Sequence, residues 1–224
     1  MDDFDQEEIS RLVELFDELG CAQLRDASAR YTKAVPSGAL RRIAGQRLAG
    51  PAFPVTTDND MLPCLQALDA APPGWVLVLC NTAAESEALA GDILVTAAVA
   101  QHLGGLVVDG AVRDTDTLGN LGLTVFARTV NYVSAKTAQV PATTVPQVVR
   151  LGEIPLRPGD WIFGDGDGLA IVAAEHVRAV FNGALMLTRR EMELKERLRG
   201  GETLGEICGL DDFVAGRGPL RFEI

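Results

Sequence analysis

Between Trp75 and Arg128 the chain alternates apolar runs with helix-forming stretches so regularly that few folds remain open to it. Trp75–Cys80 is an unbroken apolar run entered through Pro72-Pro73-Gly74, the pattern of a strand buried on both faces. Gly91-Asp92 opens an Ala-rich helix expected over Ile93–His102, which Gly104-Gly105 ends. Leu106–Val108 reads as a short strand, Thr115–Leu121 as a short helix and Leu123–Ala127 as a third strand. Such strand–helix–strand alternation requires parallel pairing through right-handed crossovers. The expected fold class is therefore α/β, with helices flanking a sheet.

The flanking sequence extends this core. Ile9, Leu12, Val13, Phe16 and Leu19 recur at helical spacing, so an amphipathic helix is expected over residues 4–20, stopped by Gly20. A second short helix is expected over Ala22–Tyr31, a loop over the Gly/Pro/Arg-rich Val35–Ala52, a strand over Phe53–Thr57 and a helix over Met61–Ala70. Beyond Arg128 the polar stretch Thr129–Pro146 reads as a loop. Strand-like pieces follow at Gln147–Leu151, Trp161–Phe163 and Leu169–Val172, the last two joined by a Gly164–Gly168 hairpin turn. A long helix over residues 174–199 carries Val177, Val180, Phe181, Ala184 and Leu185 as its apolar stripe. Nothing marks a linker or a repeat. One domain with a mixed sheet is expected over residues 1–224, the chemistry-bearing part being residues 75–128.

Composition removes several function classes. The 20 basic and 31 acidic residues give a net charge of −11, unsuited to nucleic acid or anionic membrane, which are bound by neutralising phosphate. The longest apolar runs are far short of the roughly 20 residues that span a bilayer. The start MDDFDQEEIS has neither the basic nor the apolar part of a targeting segment, so a cytoplasmic protein is expected. Two histidines, and cysteines at 21, 64, 80 and 208, lack zinc-ligand or redox-dithiol spacing; reduced, buried thiols are the expectation.

In parallel α/β units ligands bind beyond the carboxyl ends of strands. Two such ends stand out. Gly91-Asp92-Ile93-Leu94 offers backbone N–H groups at a helix start, suited to an anion. Asp109-Gly110-Ala111-Val112-Arg113-Asp114, just past Leu106–Val108, offers a guanidinium beside a carboxylate. The guanidinium can grip a carboxylate through two hydrogen bonds, and the carboxylate can hold a hard cation. An anion grip with a cation site suits metal-assisted chemistry on a small keto acid. The same residues also have structural uses, Asp92 and Asp114 as helix caps and Arg113 in a salt bridge, and both readings stand at this level. Asp165 and Asp167 resemble the start of a calcium loop, but Leu169 and Ala170 break the motif and favour a turn. The only lysines, Lys33, Lys136 and Lys195, lie outside these segments, which disfavours Schiff-base chemistry.

Gly91–Arg128 (GDILVTAAVAQHLGGLVVDGAVRDTDTLGNLGLTVFAR) and Ile154–Val172 (IPLRPGDWIFGDGDGLAIV) resemble the RraA-like family, with weaker similarity at Arg47–Val55 and Pro72–Leu79. That family holds the class II 4-hydroxy-4-methyl-2-oxoglutarate/4-carboxy-4-hydroxy-2-oxoadipate aldolases and non-enzymatic regulators of ribonuclease. The resemblance implies a layered α/β sandwich assembled as a homotrimer, or a hexamer. Its aldolase branch carries D-x20-R-D, which Asp92 and Arg113-Asp114 match. By resemblance, Asp114 holds Mg²⁺ or Mn²⁺ partly through water. Arg113 binds the substrate carboxylate and the developing enolate, and Asp92 orients Arg113 or a water. The N–H groups of Ile93 and Leu94 contact the pyruvyl carboxylate. A glutamate from a neighbouring subunit's C-terminal helix also reaches the site; Glu191 is the best match, with Glu193 as the alternative. Thr117 stands where the family's enzymes usually carry an acid, although Asp116 is adjacent. The implied activity is a metal-dependent lyase acting on a small anionic 2-keto acid of the 4-hydroxy-4-methyl-2-oxoglutarate type to release pyruvate, with oxaloacetate decarboxylation as a companion. The alternatives are a ribonuclease-binding regulator, or a pathway-specific enzyme using the site on another keto or hydroxy acid.

Overall fold

The computed structural model describes residues 4–36, 38–83, 86–136, 138 and 144–221. Two helices, α1 (Gln6–Glu18) and α2 (Cys21–Ala27), precede strands β1 (Thr32–Ala34), β2 (Arg41–Ala44) and β3 (Leu48–Thr57). Then come α3 (Met61–Ala70), β4 (Val76–Asn81), β5 (Ala88–Ala90), α4 (Asp92–Ala100), β6 (Gly105–Val112), α5 (Thr115–Leu118) and β7 (Val125–Val130). A small hairpin, β8 (Val149–Leu151) and β9 (Ile154–Leu156), leads to β10 (Trp161–Gly164) and β11 (Leu169–Val172). A 3-10 turn, Ala174–His176, starts the long α6 (Val177–Arg199), and α7 (Leu204–Cys208) and α8 (Leu210–Val214) follow.

The main sheet runs β1-β11-β10-β3-β4-β6-β7-β2, with β5 added beside β6. Its centre, β3-β4-β6-β7, is parallel, and so is the β5–β6 pair. Antiparallel strands β10, β11 and β1 extend one side and β2 closes the other. This is the mixed sheet expected from the crossovers and the hairpin. One face carries α3, α4 and α5 over Val55, Leu77, Leu79 and Leu106. The same face, towards β10 and β11, carries α1, α2 and α6 over Trp161, Phe163 and Val172. The opposite face, with Val78, Val107, Ile162 and Ile171, is covered by the β8–β9 hairpin and by Val35 and Leu40. Strands buried on both faces explain the unbroken apolar runs.

Several expectations need correction. Val35–Ala52 is not all loop, because β2 lies within it and β3 begins at Leu48. Leu48–Pro51 pairs with Gly164–Trp161 of β10, which contributes the ladder from far along the chain, and Gly50 leaves room for the carbonyl of Gly74. Local composition cannot report either partner. The strand read as Leu106–Val108 runs on to Val112 through an irregularity against β7, so Asp109 and Gly110 lie inside it. The helix expected over 174–199 opens with a 3-10 turn, and that expected over 4–20 spans Gln6–Glu18, where Asp5 caps the N–H of Glu8. Of the loop expected over Thr129–Pro146, Thr129 and Val130 finish β7, and residues 137 and 139–143 lie outside the described residues. The four cysteines are free and buried, and Asp165 serves the hairpin turn, accepting from the Asp167 and Cys21 N–H groups.

Candidate active site

The site is built by β5, a strand of three residues. Pairing of Ala88 with Ala111 and of Ala90 with Val112 lays β5 alongside the end of β6. The N–H of Arg113 donates to the carbonyl of Ala90 at 2.9 Å. Both strands run out in the same direction, so Gly91-Asp92 and Arg113-Asp114 emerge side by side across twenty intervening residues. Asp92 is the first residue of α4, and its N–H donates to Oδ2 of Asp114 at 3.3 Å. Nε of Arg113 lies 3.3 Å from the same oxygen. Gly91 makes this approach possible, since a Cβ there would overlap Oδ2 of Asp114 and come within 2.9 Å of Cγ of Arg113.

The capping alternatives lose ground here. Asp114 precedes α5 with a left-handed backbone (φ 58°, ψ 35°) and makes no side-chain cap, and the cap position of α4 is Gly91, not Asp92. A non-glycine residue held left-handed is a position that the surrounding structure imposes. The Arg113 and Asp114 side chains are 33% and 35% exposed, open to a ligand from one side. The Ile93 and Leu94 N–H groups sit in the first turn of α4, where a helix leaves its donors without intrahelical partners, and neither finds an acceptor among the described residues. Ile93 and Leu94 border a cavity of about 240 Å³ whose other lining is mainly apolar, including Met61, Leu65 and Leu89, with Arg113 and Ser134 as its polar residues.

Among the described residues no three His, Cys, Asp or Glu side chains gather as a metal cage. The donor set at Asp114 is one hard carboxylate. That fits a cation such as Mg²⁺, which is bound by one or two carboxylates and completes its shell with water and substrate oxygens; a zinc site would call for three or four side chains. Glu191 is not brought to this cluster within one chain. It lies on α6, accepting from Nε2 of Gln23 on α2 at 3.2 Å, with Nζ of Lys195 at 3.7 Å. Glu193, Asp116 and Thr117 are exposed.

One functional-looking pair escaped the sequence reading. Asp109 points from β6 to the other side of the sheet, where it is ion-paired with Arg128 of β7 and accepts from the N–H of Gly152 at 3.3 Å. An acid inside an otherwise apolar strand is the signal that points to such a partner, since buried charge survives only when paired.

Residues 21–171 match the family model described as RraA-like, Aldolase/RraA. The chain belongs to the RraA-like family. A curated relative from Halalkalibacterium halodurans, provisionally named a 4-hydroxy-4-methyl-2-oxoglutarate aldolase, is 34% identical over 127 residues, 56% of this chain and 60% of the relative. The match therefore spans less than two thirds of that relative's length. Among solved structures, an uncharacterised protein from Pseudomonas syringae pv. tomato aligns with a TM-score of 0.76 at 27% identity, over 88% of this chain and 92% of its own. The RNA-processing inhibitor RraA from Thermus thermophilus aligns with a TM-score of 0.61 at 24% identity, over 68% and 91%, a likeness of fold. The names given to these similar proteins are of two kinds, a provisional aldolase and an inhibitor of RNA processing.

Proposed function

We propose that this RraA-like protein is a divalent-metal-dependent lyase that cleaves a 4-hydroxy-2-oxo dicarboxylic acid to pyruvate by a retro-aldol reaction. The observation that carries this reading is the convergence of Asp92, Arg113 and Asp114 at the ends of β5 and β6, beside the unpaired N–H groups of Ile93 and Leu94. The name of the Halalkalibacterium halodurans relative supports the substrate class.

Asp114 holds the cation, and Mg²⁺ or Mn²⁺ there supplies Lewis acidity towards the substrate's keto group. The N–H groups of Ile93 and Leu94, at the positive end of α4, bind the carboxylate next to that keto group. Arg113 is placed to offset the negative charge that develops on the keto oxygen. Asp92 orients the water that removes the C4-hydroxyl proton. The C3–C4 bond then breaks, its electron pair passes into the enolate of pyruvate, and the C4 fragment leaves as a carbonyl compound. Water returns a proton to C3. Oxaloacetate suits the same residues, because loss of CO₂ leaves the same enolate. In this reading the working unit is a trimer, in which Glu191 or Glu193 of one copy approaches Arg113 of the next.

The test is a lactate-dehydrogenase-coupled assay for pyruvate from 4-hydroxy-4-methyl-2-oxoglutarate and from oxaloacetate, with Mg²⁺, Mn²⁺ or chelator. Pyruvate is expected only with metal, and Asp114→Ala is expected to abolish it while circular dichroism and Tm are retained. Metal-independent turnover, or undiminished activity of Asp114→Ala, rejects the assignment. A second reading, a regulator that masks a basic ribonuclease surface, draws on the net charge of −11. It is favoured if neither substrate yields pyruvate.

A further inference from the structure

At the far end of the sheet lies a cavity of about 400 Å³ unrelated to the cluster at β5 and β6. It shares no lining residue with the 240 Å³ cavity. Its wall includes Ile171 of β11, and β10, β3 and β4 stand between β11 and β6. At 4.7–4.9 Å per strand, those four steps separate the two regions by about 19 Å.

In a chain of net charge −11 this cavity is a cationic exception. Arg30, Lys33 and Arg157 all line it; none of the three forms a salt bridge among the described residues, and Arg157 lies close enough to Asp160 to favour that carboxylate's charged form. Nζ of Lys33 donates to the carbonyl of Arg30 at 3.0 Å, which fixes the ammonium against that turn. The guanidinium of Arg30 lies 5.3 Å from the ring centre of Tyr31, and that ring packs on His176 at 3.8 Å. This side of the cavity is thus a preassembled stack. Asp160 is buried at the base of the wall, where it accepts from the N–H groups of Arg157 at 2.9 Å and Ala174 at 3.4 Å. It ties the turn before β10 to the turn before α6. Glu153 is the one other acid in the lining. Ile154, Pro155 and Ile171 supply an apolar floor.

Three cations against two acids, Glu153 at the rim and the buried Asp160, leave an excess of positive charge beside an apolar floor. We infer that this cavity is a second binding site, separate from the proposed lyase site, for a small organic dianion with an apolar body, either a phosphate monoester or a dicarboxylate. Arg30 and Arg157 present guanidinium forks to the charged groups, Lys33 adds a point charge, and the floor takes the carbon skeleton.

Isothermal titration calorimetry on the full chain tests this with phenyl phosphate and glutarate as probes and inorganic phosphate as the control. Saturable binding of at least one organic probe is expected, and which one binds identifies the charged group. Binding should persist in Arg113→Ala, which removes the guanidinium of the lyase site. It should weaken on the order of tenfold or more in Arg30→Ala/Arg157→Ala and by a smaller factor in Lys33→Ala, a change at an exposed side chain outside the core. The proposal is overturned if neither organic probe binds saturably at millimolar concentration. It is overturned equally if binding is lost in Arg113→Ala but kept in the double variant, or if inorganic phosphate binds as tightly as phenyl phosphate.

Discussion

Gly91 and Asp114 are packed so closely that a Cβ on Gly91 would occupy the space of the Asp114 carboxylate. The backbone at Gly91 is extended (φ −147°), a conformation open to any residue, so the glycine is there for space. The atoms that would have to move are side-chain atoms, Oδ2 of Asp114 and Cγ of Arg113, so the backbone is spared while the carboxylate assigned to the metal is displaced. Gly91→Ala is therefore expected to lower kcat/KM on the order of 10²-fold, the scale of misplacing a reacting group by about 1 Å. Its Tm should stay within a few degrees of wild type. The coupled pyruvate assay with a thermal melt checks both, and unchanged kcat/KM would remove Asp114 from the site.

Arg113→Lys keeps the charge and loses the planar fork. The expected loss in kcat/KM is on the order of 10²–10³-fold, as for removal of one stabiliser of a developing oxyanion. A value within about threefold of wild type contradicts the role given to the guanidinium.

The contact between α1 and α6 should carry an acid dependence. Glu8 accepts two hydrogen bonds from Arg178, at 2.7 and 2.8 Å, and this bonding holds its carboxyl below the usual carboxylate range. A lowered folded-state pKa means that the stabilisation is present above the unfolded value of 4.5 and fades as pH falls through the lower folded value. The pair is solvent-exposed, so its worth is about 0–1 kcal/mol. Glu8→Gln should lower Tm slightly at pH 7 and match wild type in strong acid. A Tm gap that widens on acidification would reverse the sign and refute the assignment.

Native cysteines should resist alkylation. Burial pushes the Cys64 and Cys80 thiols up to about 12 and raises Cys21 as well. At pH 8 the nucleophilic thiolate is scarce and inaccessible. Mass spectrometry after iodoacetamide should find these three unmodified in the folded protein and all four cysteines labelled in denaturant. Rapid native labelling of Cys64 or Cys80 would show that those core positions open readily.

Asp109→Ala removes the buried partner of Arg128 and an acceptor for the N–H of Gly152. Arg128 is partly exposed and can turn to water, so the loss should be about 1–3 kcal/mol, the scale for a buried polar group left unsatisfied. A Tm within about a degree of wild type would mean that the pair contributes nothing to the fold.

Much of this was legible in local pattern. Met61–Ala70 is a helix with the bounds expected, because its apolar spacing and the Asp60 cap are local properties. The β10–β11 hairpin follows from its glycine-rich turn. β5 was not legible, since three apolar residues, Ala88–Ala90, are too few to carry a periodicity. Nor was the start of β3, whose glycine and proline argue against a strand until β10 is beside it.

By itself, then, the sequence determined the class of fold and the spacing of Asp92 from Arg113-Asp114. Hydrophobic periodicity and turn chemistry act over a few residues and survive without any partner. Tertiary structure alone decided that β5 would run beside β6 and bring Asp92 to Asp114, that Asp109 would meet Arg128, and that Arg30, Lys33 and Arg157 would border one cavity. Each of those contacts depends on a strand or turn distant in sequence, and only chain closure, with its loss of conformational entropy, brings such groups together.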